Sequence, residues 1–277
     1  MGSDPRSVKH PIGVFDSGIG GLSVLKALRA ELPHEHFIYV ADSGHAPYGE
    51  RDVAHVRARS RALVHYLVNQ NVKAVVMACN TATAAAIDLL RAEHAGLVLI
   101  GVEPALKPAA MLSQTGRIGV MATRSTLASA KFRVLLDSQA GQATFVLQPC
   151  DGLAHAIEHS AETGETSKTI AMCAQYTSKM GNFGPEKDKI DTLVLGCTHY
   201  PFAREHLCAL LGPGVTLVDN GAAVASQTRR LLQIRSPAGP DHSPGRISLL
   251  TTGPAQTLQV AARRWLGLPG PVGLLSF

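Results

Sequence analysis

Residues 191–202 read DTLVLGCTHYPF and join a short apolar run to a turn and a reactive side chain. The apolar residues 193–195 are typical of a strand that is buried on both faces of a parallel sheet. Gly196 allows the backbone to turn tightly, and Pro201 fits the first turn of a following helix. Cys197 stands between them. The stretch therefore predicts a thiol at the carboxyl end of a central strand, where open α/β sheets bind their ligands.

A second copy of this layout lies upstream, where the apolar residues 75–78 run into Cys79 and the helix-prone segment AAAIDLLR follows. The two cysteines are 118 positions apart (197 − 79), which suits one site in each of two lobes. A single buried cysteine after a strand is more often an inert packing residue. Polar residues follow both cysteines: Asn80 and Thr81 after the first, and Thr198 and His199 after the second. The repetition therefore favours a functional pair.

The composition is that of a globular chain of 277 residues, with 45% hydrophobic residues and a formal charge of +5. This length predicts one large domain or two ordinary ones. The positive surplus is modest and spread out, and it helps to attract an acidic small molecule. Arg57 and Arg61 share a face of a predicted helix while Arg59 points elsewhere, which indicates a solvated helix surface and no nucleic-acid patch.

Cysteine usage and hydropathy predict a cytoplasmic protein with free thiols. The five cysteines are an odd number, and their spacing suggests no disulfide framework. No positively charged start leads into an apolar core, so we expect no signal peptide. No apolar run approaches the roughly 18–20 residues that a membrane span needs, so we expect no membrane association of that kind.

Strands alternate with helices along the chain, which predicts mostly parallel sheets with crossover helices. The predicted strands are 12–15, 37–41, 75–79, 97–102, 118–121, 144–147, 193–195, 216–218 and 247–251. The predicted helices are 22–32, 52–69, one after Cys79, 155–180, 222–234 and 255–265. The pattern restarts after Glu103 and Pro104, which we interpret as a joint between two similar lobes. We expect disorder at 1–10 and a loop at 236–245, and residues 269–277 give no clear signal.

The two thiols suit proton transfer if each has a base beside it. A free thiol has a pKa of about 8.5, so only a few per cent is thiolate at pH 7. A helix N-terminus contributes about 0.3–1 kcal/mol, less than one pKa unit, and does not ionise either cysteine by itself. Asp16 and His199 are the candidate bases, one in each lobe. Because a negative charge opposes a thiolate, Asp16 would act by accepting and returning a proton.

Two thiols on opposite sides of a tetrahedral carbon suit racemisation. One removes a proton as the thiolate, and the other delivers a proton from the opposite face. Hydroxyl, amide and backbone N–H donors at Ser17, Asn80, Thr81 and Thr198 would hold the substrate, and helix N-termini beside them favour carboxylates.

Part of a dinucleotide-binding fingerprint is also present. Gly18 and Gly20 follow a strand, and Asp42 ends the next one. However, Ser23 stands where a third glycine or alanine is expected, and Asp16 would oppose a pyrophosphate. The signal is therefore weak.

A metal site is the third interpretation, built from Cys79, Cys197, His199 and Asp16. Zinc accepts such ligands, but the usual paired C-x₂-C spacing is missing. We therefore expect no metal.

Four motifs resemble those of the aspartate/glutamate racemase superfamily, and within it the bacterial glutamate racemases. They are DSGIGGLSVL at 16–25, PYGER at 47–51, ACNTATA at 78–84 and GCTHYPF at 196–202. The resemblance extends from about residue 12 to about residue 267. It implies a cofactor-independent enzyme that interconverts L- and D-glutamate and supplies D-glutamate for peptidoglycan.

The resemblance also implies a site. Cys79 would take the proton from D-glutamate and Cys197 from L-glutamate, with Asp16 and His199 assisting. The substrate would be lined by Asp16, Ser17, Tyr48, Gly49, Asn80, Thr81, Thr198 and His199. The implied fold is two α/β lobes related by a pseudo-twofold axis with the site in the cleft between them. The first lobe would comprise 1–101 and 214–277, and the second 102–213.

Some positions depart from the family pattern. Ser125 replaces a usual glycine and Asn220 a more usual serine, which puts a substrate role for Thr123 or Thr126 in doubt. Cys150, Cys173 and Cys208 lack the context of a strand, a polar residue and a helix and are expected to be ordinary thiols. A racemase of another acidic amino acid, such as aspartate, and a non-catalytic module that binds acidic ligands remain alternatives. The sequence leaves the oligomeric state open, a homodimer included.

Overall fold

The computed structural model describes residues 10–235 and 244–277. The disorder expected at the start of the chain and most of the loop expected at 236–245 lie outside these residues. Within them, ten strands are present: β1 Ile12–Asp16, β2 Phe37–Ala41, β3 Ala74–Met77, β4 Val98–Gly101, β5 Arg117–Ala122, β6 Thr144–Pro149, β7 Thr192–Leu195, β8 Thr216–Val218, β9 Ile247–Thr251 and β10 Val272–Leu274.

Eleven α-helices and three short 3-10 turns connect these strands within the described residues. The helices are α1 Leu22–Glu31, α2 Val53–Asn69, α3 Asn80–Glu93, α4 Leu106–Leu112, α5 Arg124–Ala128, α6 Ala130–Asp137, α7 Leu153–Thr163, α8 Ser167–Met180, α9 Arg204–Leu211, α10 Gly221–Arg235 and α11 Ala255–Leu266. The 3-10 turns are Ser43–His45, Tyr48–Glu50 and Tyr200–Ala203.

The chain divides into two compact α/β units. Unit 1 comprises Met1–Val102 and Gly221–Phe277, and unit 2 comprises Glu103–Asn220. The second boundary differs from the predicted one, because β8 pairs in parallel with β7 and so belongs to unit 2. A three-residue apolar strand does not itself reveal which sheet it will join.

Unit 1 contains a six-stranded sheet in the order β10-β9-β2-β1-β3-β4, and every neighbouring pair is parallel. All five residues of β1 are buried, as expected for a strand that is covered on both faces. Helix α1 buries its apolar stripe at Leu22, Leu25 and Leu28. Helix α2 begins at an Asp52 cap whose side chain accepts a hydrogen bond from the His55 backbone N–H at 2.7 Å.

Unit 2 contains a four-stranded parallel sheet in the order β6-β5-β7-β8. Its core includes Ile118 and Val120 of β5, Val194 of β7, Leu106 of α4 and Phe132 of α6. The two-unit organisation with mostly parallel sheets confirms the predicted fold class.

Several short elements were not predicted. The helical region predicted at 155–180 is two helices, because the chain leaves α7 at Gly164 with a positive φ of 81° that favours glycine. Helices α4, α5 and α6 were not predicted either. Residues 269–277, which gave no signal, contain the edge strand β10, and the Leu275 N–H extends its pairing by bonding to the Thr251 carbonyl at 2.8 Å.

No helix in the described part of the chain is long and apolar enough to cross a bilayer. All five cysteines are free thiols; Cys208 is exposed and the other four are buried.

Candidate functional site

The first cluster of polar groups forms in unit 1, at the carboxyl end of β1. Asp16 is fully buried there, and its Oδ2 accepts a hydrogen bond from the Gly21 backbone N–H at 2.5 Å. Its Oδ1 lies 3.4 Å from the Ser17 hydroxyl, which donates to it. A Cβ at Gly21 would lie 2.6 Å from the Asp16 Cβ and 2.9 Å from the Tyr39 hydroxyl. The glycine therefore lets the turn close over the carboxylate.

Cys79 lies at the end of the neighbouring strand, β3, and caps helix α3. Its Sγ accepts a hydrogen bond from the Ala82 backbone N–H at 3.5 Å. The same sulfur lies 3.8 Å from the Ser17 hydroxyl. Cys79, Ser17 and Asp16 thus form a chain of hydrogen bonds that connects a thiol to a buried carboxylate.

The start of helix α3 is fixed on the sheet. Asn80 and Thr81 form its first turn and are buried. Thr83 donates its hydroxyl to the Met77 carbonyl at 3.3 Å and accepts the Val102 N–H at 3.1 Å. The polar residues after Cys79 therefore have a defined position, with backbone N–H groups of a helix N-terminus beside them.

Tyr48 is buried in the turn Tyr48–Glu50, next to the half-buried Gly49, and its hydroxyl donates to Asp42 at 2.5 Å. Burial and the negative charge of Asp42 raise the pKa of Tyr48, so it stays a neutral phenol. Burial by itself raises the pKa of Asp42, but hydrogen bonds from Arg59, Tyr48 and Thr252 outweigh it and leave that pKa below its ordinary value. The Asp42 carboxylate is occupied by protein donors, which argues against its use in the dinucleotide-binding fingerprint considered above.

The second thiol lies in unit 2, at the end of the interior strand β7. The Gly196 N–H bonds to the Met121 carbonyl of β5 at 2.7 Å, and a Cβ there would lie 2.8 Å from that oxygen. The turn after β7 therefore requires a residue without a side chain. Cys197 follows, with 7% of its surface exposed, and Thr198 beside it is also buried.

A histidine and a carboxylate accompany this thiol. The Cys197 Sγ lies 3.7 Å from the His199 Nδ1, and the His199 Nε2 lies 2.8 Å from the Glu158 carboxylate on α7. Burial of His199 lowers its pKa, but its hydrogen bonds to Cys197 and Glu158 and the electrostatic effect of these two groups outweigh burial. The pKa of His199 is therefore well above its ordinary value.

The remaining buried cysteines of unit 2 are poor candidates for ionisation. Burial and nearby ionisable groups, Cys197 first, raise the pKa of Cys150, and burial raises that of Cys173 to about 11. Cys150 donates its thiol proton to the Gln148 carbonyl at 3.3 Å. Both therefore stay protonated at neutral pH.

The residues predicted from the sequence fall into one cluster in each unit. Unit 1 gathers Asp16, Ser17, Tyr48, Gly49, Cys79, Asn80 and Thr81, and unit 2 gathers Cys197, Thr198 and His199. Sequence reasoning missed Glu158 and Arg59. The signal for Glu158 was an acidic residue adjoining the apolar stripe of α7, next to the buried Ile157. In the described part of the chain, no three His, Cys, Asp or Glu side chains are arranged to hold a metal ion.

Comparison with known proteins assigns a family. The family model for Asp/Glu/hydantoin racemases matches residues 13–228. The chain is 46% identical over 244 residues to a glutamate racemase of Herpetosiphon aurantiacus, covering 88% of this chain and 93% of that one. It is 44% identical over 273 residues to a glutamate racemase of Methylococcus capsulatus, covering 97% and 98%.

Solved structures give the same result. The chain is similar to a glutamate racemase isoform of Bacillus anthracis, with a TM-score of 0.86, 30% identity and 98% of each chain covered. It is also similar to the Escherichia coli glutamate racemase in complex with L-glutamate and an activator, with a TM-score of 0.82, 30% identity, and 96% and 98% covered. A third similar structure is the Francisella tularensis enzyme in complex with D-glutamate, with a TM-score of 0.80, 27% identity, and 97% and 98% covered.

Proposed function

The chain belongs to the Asp/Glu/hydantoin racemase family as an amino-acid racemase, and from that membership we propose that it interconverts L- and D-glutamate without a cofactor. The names of its relatives and the enantiomers bound in similar structures support glutamate as the substrate. The product D-glutamate would serve peptidoglycan synthesis. The reaction would take place in the cytoplasm, where reducing conditions keep the thiols free.

One observation carries the proposal: a buried cysteine ends an interior strand in each unit, and each has its own proton-exchanging partner. Racemisation needs one base and one acid on opposite faces of the same carbon. In our proposal the substrate lies with one thiol on each face of its Cα.

Starting from D-glutamate, the Cys79 thiolate removes the proton from Cα, and the electron pair of the C–H bond remains on the substrate as a carbanion delocalised into its carboxylate. The Cys197 thiol then delivers its proton to the opposite face, which forms L-glutamate. At the end Cys79 carries a proton and Cys197 is a thiolate. The reverse reaction starts from this state, so no net proton is consumed.

The neighbouring groups restore and stabilise these states. A protonated His199 places a positive charge beside the Cys197 sulfur, which favours its thiolate form, and Glu158 keeps His199 protonated. Beside Cys79, the Ala82 N–H stabilises negative charge on the sulfur. Ser17 and Asp16 would accept and return the thiol proton through their hydrogen-bonded chain.

The substrate would be held by donors that suit its two carboxylates and by acceptor oxygens that suit its ammonium group. Asn80 and Thr81 offer an amide, a hydroxyl and the N–H groups of a helix start in unit 1, and Thr198 offers a hydroxyl in unit 2. The turn at Tyr48 and Gly49 would complete the set of groups that bind the substrate carboxylates. This turn is held in place by the hydrogen bond from Tyr48 to Asp42.

Incubation in D₂O tests the reaction, the need for a cofactor and the substrate together. The purified protein with L-glutamate and no additive should form D-glutamate that carries deuterium at Cα, as read by mass spectrometry and chiral chromatography. Absence of both exchange and D-glutamate would refute the proposal. A faster reaction with aspartate under the same conditions would reassign the substrate.

A further inference from the structure

The carboxylate of Asp42 is held by side chains from three separate parts of unit 1. Arg59 on α2 binds both of its oxygens, Nε to Oδ2 at 3.0 Å and Nη2 to Oδ1 at 2.8 Å. Thr252, directly after β9, donates its hydroxyl to Oδ1 at 2.8 Å, and Tyr48 donates to Oδ2. Asp42 is fully buried. The carboxylate is therefore a junction that ties α2 and the end of β9 to the Tyr48 turn.

Thr252 also holds the loop that follows β2 and leads to Tyr48. Its hydroxyl oxygen accepts the Gly44 N–H at 3.2 Å. A Cβ at Gly44 would lie 2.6 Å from the Thr252 carbonyl oxygen, so the loop packs on this strand end without room for a side chain. The segment that carries Tyr48 and Gly49 is therefore anchored at residues 42, 44 and 48.

Phe277 contacts Arg59 beyond the carboxylate. The Arg59 Cζ lies 5.2 Å from the centroid of the Phe277 ring, within the range of a cation–π interaction. The Tyr66 ring, two turns further along α2, lies 5.7 Å from the Phe277 ring between centroids. Because Leu275 continues the pairing of β10 with β9, the segment after β10 is attached to the sheet as it reaches α2.

We propose that Arg59, held in place by Phe277, is a positioning residue that sets the substrate-binding turn at Tyr48 and Gly49. The inference rests on the substrate role proposed above for that turn. Arg59 fixes Asp42, Asp42 fixes the Tyr48 hydroxyl, and Tyr48 packs in the same buried cluster as Cys79. Because Arg59 acts on the binding turn through Asp42 and Tyr48, we expect its effect to fall mainly on substrate binding and less on proton transfer.

The chemistry of both side chains is specific. A lysine would keep the positive charge at position 59 but would not bind both carboxylate oxygens in a fixed fork. A leucine at position 277 would keep much of the apolar contact but would lack the negative ring face that attracts a guanidinium. Arg59→Lys therefore tests the geometry of the ion pair while its charge is kept. Phe277→Leu tests the electrostatics of the ring while most of the apolar contact is kept.

The test compares four variants by racemisation kinetics with glutamate and by calorimetric titration with D-glutamate. Arg59→Lys should raise KM and Kd roughly tenfold while changing kcat less than about threefold, because one strong hydrogen bond is lost away from the thiols. Phe277→Leu should raise KM roughly two- to fivefold, and Phe277→Tyr should restore the wild-type value. Arg61→Lys is the matched control: Arg61 pairs with Glu93 on the exposed side of α2, and the KM of this variant should not change.

Thermal melting of each variant verifies folding, and if Arg59→Lys does not fold, the Phe277→Leu and Phe277→Tyr pair still decides the question. An active wild type whose Arg59→Lys variant keeps its Kd would overturn this inference alone. Equal KM values for Phe277→Leu and Phe277→Tyr would also overturn it, since burial alone would then account for Phe277. A wild-type protein that does not racemise glutamate would overturn the proposed function and this inference with it.

Discussion

The two thiols occupy the same position relative to their strands, but the groups beside them differ in charge. Next to Cys79 stand the neutral Ser17 hydroxyl and, behind it, the Asp16 carboxylate. Next to Cys197 stands the imidazole of His199, whose pKa is well above its ordinary value. Unit 1 therefore places a chain of hydrogen bonds beside its thiol, and unit 2 places a histidine paired with the Glu158 carboxylate beside the other thiol.

The backbone explains why the two solutions differ. Helix α3 begins at Asn80, directly after Cys79, so a helical N–H reaches the sulfur. Helix α9 begins at Arg204, seven residues after Cys197 (204 − 197), and a 3-10 turn lies between them. A helix N-terminus stabilises negative charge. Cys79 therefore lies beside a helical N–H, whereas Cys197 lies beside an imidazole. Four experiments test whether this difference matters for catalysis and stability.

Removal of either sulfur should have the largest effect. Cys79→Ala and Cys197→Ala should each lower kcat by about 10³- to 10⁴-fold in both directions, because each removes one of the two groups that exchange a proton with Cα. Circular dichroism at a fixed wavelength follows the loss of ellipticity as each enantiomer is racemised. Cys208→Ala, at an exposed thiol of unit 2, should keep the wild-type rate. A single mutant with a tenth of that rate would contradict the two-thiol mechanism.

Removal of the supporting groups should have a smaller and asymmetric effect. Ser17→Ala and His199→Asn should each lower kcat/KM by about 10²-fold. The enantiomers have equal free energy, so kcat/KM must fall equally in both directions, and the asymmetry must be measured elsewhere. His199→Asn should raise the deuterium isotope effect with L-[2-²H]glutamate, and Ser17→Ala should raise it with the D-enantiomer. Equal isotope effects in both variants would show that the two supports are not specific to one thiol.

Adding a methyl group beneath each site should lower stability moderately. Gly21→Ala places a Cβ 2.6 Å from the Asp16 Cβ, and Gly196→Ala places one 2.8 Å from the Met121 carbonyl oxygen. We expect about 1–3 kcal/mol of destabilisation for each, from overpacking. Thermal melting measures this, with Gly96→Ala as the control because no atom lies within 4 Å of its added Cβ. If Gly21→Ala melts like Gly96→Ala, the turn is less tightly packed than the structure indicates.

The smallest expected effect is a pH dependence that only the second site should show. Because the pKa of His199 is raised in the folded protein, its protonated form contributes stability fully below the ordinary value of about 6.5, and this is lost as pH rises through the folded value. Glu158→Gln should therefore lower stability by about 1.5 kcal/mol near pH 6 and by less at higher pH. Ser17→Ala removes a group that does not titrate in this range. If the loss of stability caused by Glu158→Gln instead grew as the pH rose, our assignment of a positive charge to His199 would be wrong.

The sequence predicted the main strands well because interior parallel strands are continuous apolar runs. The strand at 37–41 and the strand at 247–251 were placed to the residue. The failures have two causes. β10 and α5 are too short to show a period, and the sheet that β8 joins is decided by pairing with distant residues. A local sequence pattern identifies a strand or helix more readily than it identifies the distant element with which that strand or helix pairs.

The same limit applies to the candidate site. The two thiols were found because their motif occurs twice, and Ser17 and Asp16 because they follow a strand and precede a glycine-rich turn. Glu158 and Arg59 were missed because no local sequence pattern indicates their hydrogen-bond partners, which lie 41 and 17 residues away. Their roles depend on how helices pack, and a single sequence does not encode that as a local pattern.

The interruption of unit 1 has a consequence for synthesis on the ribosome. Strand β9 is made 145 residues after Val102 (247 − 102), and until it emerges β2 is the unpaired edge of an unfinished sheet. At about 5–20 residues per second, the nascent chain exposes this aggregation-prone edge strand for roughly 7–30 s. Unit 2 is continuous in sequence and can fold during that time. A circularly permuted gene that starts at Gly221 would deliver both halves of the sheet together, and should yield less aggregate when translated without chaperones.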